Sequence, residues 1–242
     1  MTLQTLRRAL SDPAIYPEPT SAVEIRETHI SLVFLTDHYA YKIKKPVELG
    51  FVDYSTLETR RTLCEQEVTL NRRLSTTVYL DVVALHQDGS HYSFADIGPV
   101  VEYAVKMRRL PVQATLSELL QHGAAPASMM IDLARQLAAF HATHAIPEAS
   151  DSFGTHDAVL ADWRQNFAQT TDCIGRILSS ETYAHIEQAV MAFLKQHKNW
   201  FDQRVAEGRI RDCHGDLRAE HIYLDQDQLE IIDCIEFNSQ FR

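Results

Sequence analysis

The chain has 242 residues, 45% of them hydrophobic and 23% charged, with eight Gly and eight Pro. That length buries a core without disulfide staples, as one large domain or two small lobes, and the composition excludes collagen-like, low-complexity and disordered classes. Lys and Arg number 23 against 33 Asp and Glu, a formal net charge of −10, which argues against partners such as nucleic acid or an anionic membrane surface.

Residues 3–10 set Leu3, Leu6 and Leu10 at helical spacing, and Ser11-Asp12-Pro13 stops the pattern. From Val23 the period changes. Val23–Thr28, Ile30–Leu35 and Tyr39–Lys44 are rich in β-branched and aromatic residues, and Thr36-Asp37-His38 separates the last two as a hairpin turn. Ser55-Thr56-Leu57-Glu58 reads as a capping box, with Ser55 at N-cap and a helix running to about Leu74. Strands are predicted again at Tyr79–Leu85, His91–Phe94 and Val100–Met107, with a turn at Gln87-Asp88-Gly89. Residues 20–110 therefore read as an antiparallel sheet with one helix inserted after the third strand.

Beyond Leu110 the helical period dominates, with helices predicted at Leu116–Gln121, Ala127–His144, Asp157–Gln169 and Thr182–Glu207. Two short apolar strands, Ile222–Leu224 and Leu229–Ile232, close the chain. The four cysteines, at 64, 173, 213 and 234, form no C-x-x-C pair, so reduced thiols are expected. The N-terminus lacks the apolar core of a signal peptide, and no apolar run approaches the roughly 20 residues that span a bilayer. A cytoplasmic location is the expectation.

The segment that carries chemistry is CHGDLRAEHIYLDQDQLEIIDCIEFN, residues 213–238. Asp216 follows His214-Gly215, and Asp233 closes the Ile231-Ile232 strand beyond a hairpin, so two carboxylates can converge on one site. One can orient and deprotonate a hydroxyl while the other holds a divalent cation, because hard cations prefer carboxylate oxygen. That is the equipment of metal-assisted phosphoryl transfer.

HGDLRAEH followed by IIDCIEF resembles the catalytic loop and metal-binding motif of aminoglycoside phosphotransferase-like kinases, relatives of the protein kinases. The likeness extends through ETHISLVFLTDHYAYKIKKP and VEYAVKMRRLP, and is closest to a bacterial branch often fused to a P-loop kinase domain. No G-x-x-x-x-G-K-[ST] occurs in this chain. The resemblance implies a bilobal α+β kinase-like fold, with a β-rich nucleotide-binding lobe at 1–109. A helical lobe follows at 110–242, expected to be incomplete at its C-terminus. ATP and magnesium, with manganese as the alternative, are the implied cofactors. A small-molecule hydroxyl is the implied acceptor.

Carried over position by position, Asp216 matches the catalytic aspartate and Asp233 the metal-binding one. Lys42, in Tyr39-Ala40-Tyr41-Lys42, matches the lysine that reaches the nucleotide phosphates, and Lys44, two residues on and on the same face, is its rival. Glu67 is the expected ion-pair partner of that lysine, with Glu65 second. Met107, Arg108 and Leu110 lie in the stretch whose backbone would meet adenine. Glu27-Thr28-His29-Ile30-Ser31 replaces the kinase glycine-rich loop, so Thr28 and Ser31 are the candidates to cradle phosphate. His221 stands where the family has a metal-binding Asn, and imidazole is a poorer magnesium ligand than an amide oxygen. His214 is expected to be structural. A zinc site from Cys213, His214 and His221 fits no common spacing, and His141 and His144 lack a third ligand. Asp157, Asp162, Asp172, Glu181 and Glu187 make the 157–207 region acidic, which suits an amine-bearing acceptor and equally an ordinary solvated face. The His221 substitution, the missing glycines and the short C-terminus favour the rival reading, a nucleotide-binding pseudokinase. A second rival is transfer of a nucleotidyl group by the same fold.

Overall fold

A computed structural model describes residues 2–144 and 153–242. Helix α1 (Leu3–Leu10) is capped by Thr2, whose hydroxyl accepts the Thr5 N–H, and it buries Leu6 and Leu10. Six strands follow in one antiparallel sheet: β1 (Glu24–Glu27), β2 (Ser31–Leu35), β3 (Tyr39–Lys44), β6 (Tyr79–Asp88), β7 (His91–Ser93) and β8 (Val100–Arg108). Their spatial order is β1-β2-β3-β8-β6-β7. A small hairpin, β4 (Glu48–Leu49) and β5 (Val52–Asp53), and helix α2 (Leu57–Asn71) intervene between β3 and β6.

The pleat of β3 explains why the sheet has two covered faces. Tyr41 and Ile43 point to one side and pack with Leu6, Leu10, Tyr16 and Phe34 beneath α1. Ala40 points to the other side, with Cys64 and Val68 of α2. Lys42 and Lys44 share that second face, so the strand's period of two aims both lysines toward α2. Helix α2 is tied down by Arg60, which donates to both oxygens of Glu102 on β8 at 2.8–3.1 Å and to the Tyr54 and Ser55 carbonyls. Because both members of that pair are buried, the bidentate geometry fixes the helix against the sheet.

Helices α3 (Leu116–Gln121) and α4 (Ala127–Thr143) come next, then α5 (His156–Thr170), α6 (Ser180–Gln196) and α7 (Lys198–Ala206). The terminal hairpin is β9 (Ile222–Asp225) with β10 (Gln228–Ile231). It packs Ile222 and Ile231 with Leu74, Leu116, Met129, Leu133 and Phe140. The chain divides into two compact units, one formed by residues up to Phe140 with His214–Arg242, the other by His141–Cys213. In the second unit Phe167 of α5 meets the Tyr183 ring of α6 edge-on, and the Tyr183 hydroxyl donates to the Phe167 carbonyl at 2.6 Å. The α+β, kinase-like architecture expected from the sequence is what the chain adopts. Among the described residues, no helix is long and apolar enough to cross a membrane.

Three local expectations are corrected. The cap of α2 is Thr56 and not Ser55: Thr56 has extended backbone and its hydroxyl accepts the Thr59 N–H at 3.1 Å, while the Ser55 N–H is taken by Asp53 at 2.8 Å. The helix ends at Asn71 and not near Leu74, and the Asn71 side chain is engaged elsewhere. The helix predicted at Thr182–Glu207 is two helices. His197 leaves the helical region, with φ −108 and ψ 20, and its ring stacks on Trp200 at 3.8 Å.

Candidate active site

The site begins with Lys42, Lys44 and Glu67. Glu67 sits on the sheet-facing side of α2 with no exposed surface. Its Oε1 accepts from Lys42 Nζ at 2.8 Å, and its Oε2 from Lys44 Nζ at 2.6 Å. One carboxylate therefore serves both lysines. Lys42 reaches on to Asp233 Oδ1 at 2.5 Å, while Lys44 reaches Glu236 and lies over the Tyr54 ring. Tyr54 also donates to Glu236 at 2.6 Å. Lys44 is fully enclosed by this arrangement. Lys42 faces Asp233, whose side chain is 43% exposed and forms the open edge of the cluster.

The segment 214–238 supplies the other carboxylates. Gly215 has φ +88, and a Cβ there would lie 2.7 Å from the Phe241 carbonyl oxygen, so glycine is required at this step. His214 is buried, accepts the Asp216 N–H on Nδ1 at 3.3 Å and donates from Nε2 to the Ile232 carbonyl at 2.9 Å. Burial lowers its pKa, so it is a neutral brace beneath the loop. His221 braces the same loop, donating from Nδ1 to the Asp216 carbonyl at 2.8 Å. Arg218 donates to His221 Nε2 at 3.0 Å and pairs with Asp216 Oδ2 at 3.2 Å.

Other sequence candidates lie in different settings. Glu65 is exposed and pairs with Arg61 along α2. Thr28 and Ser31 close the β1–β2 turn on each other: the Thr28 hydroxyl accepts the Ser31 N–H at 3.0 Å, and the Thr28 N–H donates to the Ser31 carbonyl at 2.9 Å. Among the described residues the buried Ser31 hydroxyl has no hydrogen-bond partner, and Ser31 stands opposite Lys44 in the β2–β3 register. Met107 is packed with Ala40 and Val68. The N–H groups of Arg108 and Arg109 are bonded to the Val78 and His38 carbonyls, and the Arg108 side chain pairs with Asp225. Leu110 and Ile232 are both partly buried against the same cluster. The sequence reading missed Glu236, Tyr54, Asn71, Tyr79 and Arg218. Glu236 lay in plain view three residues past Asp233, and Asn71 lies one helical turn beyond Glu67.

Among the described residues, no three His, Cys, Asp or Glu side chains come together as a metal cage. Magnesium in phosphoryl-transfer sites is held by one or two carboxylates plus substrate phosphates, and the Asp233 carboxylate fits that requirement. His221 does not, because both its nitrogens are hydrogen-bonded and Nε2 stands 3.6 Å from Asp233 Oδ2.

The charges are strongly coupled. Loss of hydration alone would raise the Asp233 carboxyl, but Lys42 holds it well below the usual range. Burial would lower both lysines, yet Asp233, Glu67 and Glu236 carry Lys42, and Glu67 and Glu236 carry Lys44, well above their usual values. Burial also pushes the Tyr54 and Tyr79 hydroxyls far up. All four groups keep their protons in the fold at a pH where an unfolded chain releases them, about 10 for Tyr and 10.4 for Lys. The unfolded state then binds fewer protons, so stability falls as pH rises through that region. The urea midpoint should lose nothing from these groups up to about pH 9 and drop above about pH 10. A midpoint unchanged from pH 9 to 11 would contradict this coupling.

A sequence model of the phosphotransferase enzyme family matches residues 54–236, the stretch that runs from Tyr54 through Glu236. The uncharacterized proteins Rv2004c of Mycobacterium tuberculosis and Mb2027c of Mycobacterium bovis are each 31% identical over 221 residues. That alignment covers 91% of this chain and 43% of each relative, so the chain spans less than half the length of these curated relatives. With the carboxylates of the cluster, Glu67, Asp233 and Glu236, inside the matched stretch, the chain belongs to the phosphotransferase enzyme family, the aminoglycoside phosphotransferase-like relatives of the protein kinases.

Proposed function

We propose that the protein transfers the γ-phosphoryl group of ATP to a hydroxyl of a small-molecule acceptor. The observation that carries this reading is Lys42, held between Glu67 at 2.8 Å and Asp233 at 2.5 Å, with Asp216 on the braced loop that precedes Asp233. Lys42, and not the enclosed Lys44, is the lysine that meets the nucleotide phosphates. Val33, Leu110 and Ile232, three of the five partly buried hydrophobics packed against the apolar cluster around Ala40, offer a surface for adenine. Asp233 is the residue to hold magnesium, which supplies charge neutralisation on the phosphates. Asp216 orients the acceptor hydroxyl and takes its proton as the acceptor oxygen bonds to phosphorus and the bond to ADP breaks.

The test is ATP consumption with magnesium or manganese, with water, amino sugars and polyols as acceptors, and the product read by mass. A gain of one phosphoryl group on an acceptor, lost in Asp233→Ala together with metal-dependent ATP binding, is the expected result. A nucleotidyl gain, or undiminished magnesium–ATP affinity in Asp233→Ala, would overturn it. A second reading, nucleotide binding without transfer, draws on one observation: His221 replaces the family's metal-binding Asn and is engaged on both nitrogens. ATP binding with no turnover on any acceptor would favour that reading.

A further inference from the structure

Among the described residues, three non-glycines have positive φ: Gln226, Asp227 and Asp233. The first two form the β9–β10 turn, where left-handed backbone is ordinary. Asp233, at φ +65, lies outside any hairpin turn, and a residue with a Cβ holds that conformation only where its surroundings impose it. Two buried side chains do so from distant segments. The Tyr79 hydroxyl, at the start of β6, accepts the Asp233 N–H at 3.0 Å. Asn71 Oδ1, at the end of α2, accepts the Cys234 N–H at 2.9 Å. The Asn71 Nδ2 donates to the Glu67 carbonyl at 2.9 Å, so one side chain joins the helical turn that carries Glu67 to the peptide that carries Asp233.

From this geometry we infer that Asn71 and Tyr79 are positioning residues, a two-point backbone clamp that holds Asp233 in its left-handed conformation and turns its carboxylate toward Lys42. The inference rests on the phosphotransferase reading for its consequence, because the carboxylate so placed is the one assigned to magnesium. The clamp is distinct from ordinary core packing. Its two acceptors bond consecutive N–H groups on either side of the strained residue, and neither touches the carboxylate itself.

The test uses Tyr79→Phe, which removes the acceptor oxygen and keeps the ring, and Asn71→Ala. Amide hydrogen exchange at Asp233 and Cys234, magnesium–ATP affinity, ATP affinity in excess chelator and the melting temperature are measured on each. The expected result is faster exchange at Asp233 in Tyr79→Phe and at Cys234 in Asn71→Ala. Magnesium–ATP affinity should fall about 10-fold or more, the usual scale for groups that orient a metal ligand, while metal-free ATP affinity holds. Unchanged exchange at both amides in folded variants overturns the clamp, whether or not nucleotide binds. Faster exchange with magnesium–ATP affinity retained overturns its role at the metal position. If the wild type itself binds no magnesium–ATP, the phosphotransferase reading fails, and the exchange rates still decide the clamp by themselves. Should Asn71→Ala fail to fold, Tyr79→Phe decides alone.

Discussion

Replacing Glu67 by alanine should remove a large fraction of the protein's stability. Both carboxylate oxygens are engaged, each by a different lysine, and the side chain has no exposed surface. Its loss leaves two ammonium groups in a desolvated space where, among the described residues, Asp233 and Glu236 are the carboxylates that remain paired with them. Breaking a buried ion pair from one side typically costs about 3–5 kcal/mol, because the surviving charge is left uncompensated. Set against a total of roughly 5–15 kcal/mol, that is a large fraction. Urea denaturation should show a markedly lower midpoint, with a smaller loss in Glu67→Gln, which keeps an acceptor. A double variant, Lys44→Met with Glu67→Gln, should be less destabilised than the two single losses added together, since one buried cation has gone with the anion. Additive losses, or a Glu67→Ala variant within about 1 kcal/mol of wild type, would mean the cluster is hydrated and screened.

Replacing Asp216 by asparagine should lower turnover on the order of 10²–10⁴-fold, the range supplied by a positioned general base. Nucleotide affinity should hardly change, because the proposed partner of Asp216 is the acceptor hydroxyl and not the ATP phosphates. The loop itself should survive. Its braces are the His214 and His221 rings, and both bond the Asp216 backbone and not its carboxylate. The Arg218 pair is partly exposed on both sides and contributes little to stability. Kinetics at saturating and subsaturating ATP separate the outcomes. Equal losses in kcat and in ATP affinity would remove Asp216 from the role of base.

The two predictions differ in how far the sequence foreshadowed them. His214-Gly215-Asp216 and Ile231-Ile232-Asp233 are short, contiguous patterns, so the motif carried Asp216 and Asp233 without a structure. The periodicities also carried the sheet with its inserted helix, since alternation of two and 3.6 residues reports which face is apolar. Cap positions and helix breaks were less legible. Asp53 competes for Ser55, and His197 interrupts a continuous apolar pattern without Gly or Pro. Such contests are decided by single hydrogen bonds that composition does not reveal.

The sequence by itself determined the fold class, the two motif carboxylates, and the fact that Lys42 and Lys44 share one face of β3. Only the tertiary structure decided which lysine meets Asp233, that Glu67 and not Glu65 is their partner, and that Asn71 and Tyr79 hold the backbone at Asp233. The physical reason is range. Periodicity fixes the direction of a side chain within its own element, whereas the partner of Lys42 at Asp233 is 191 residues away. Which of two adjacent lysines reaches it depends on how the 214–238 segment lies against the sheet, and packing, not local sequence, sets that placement.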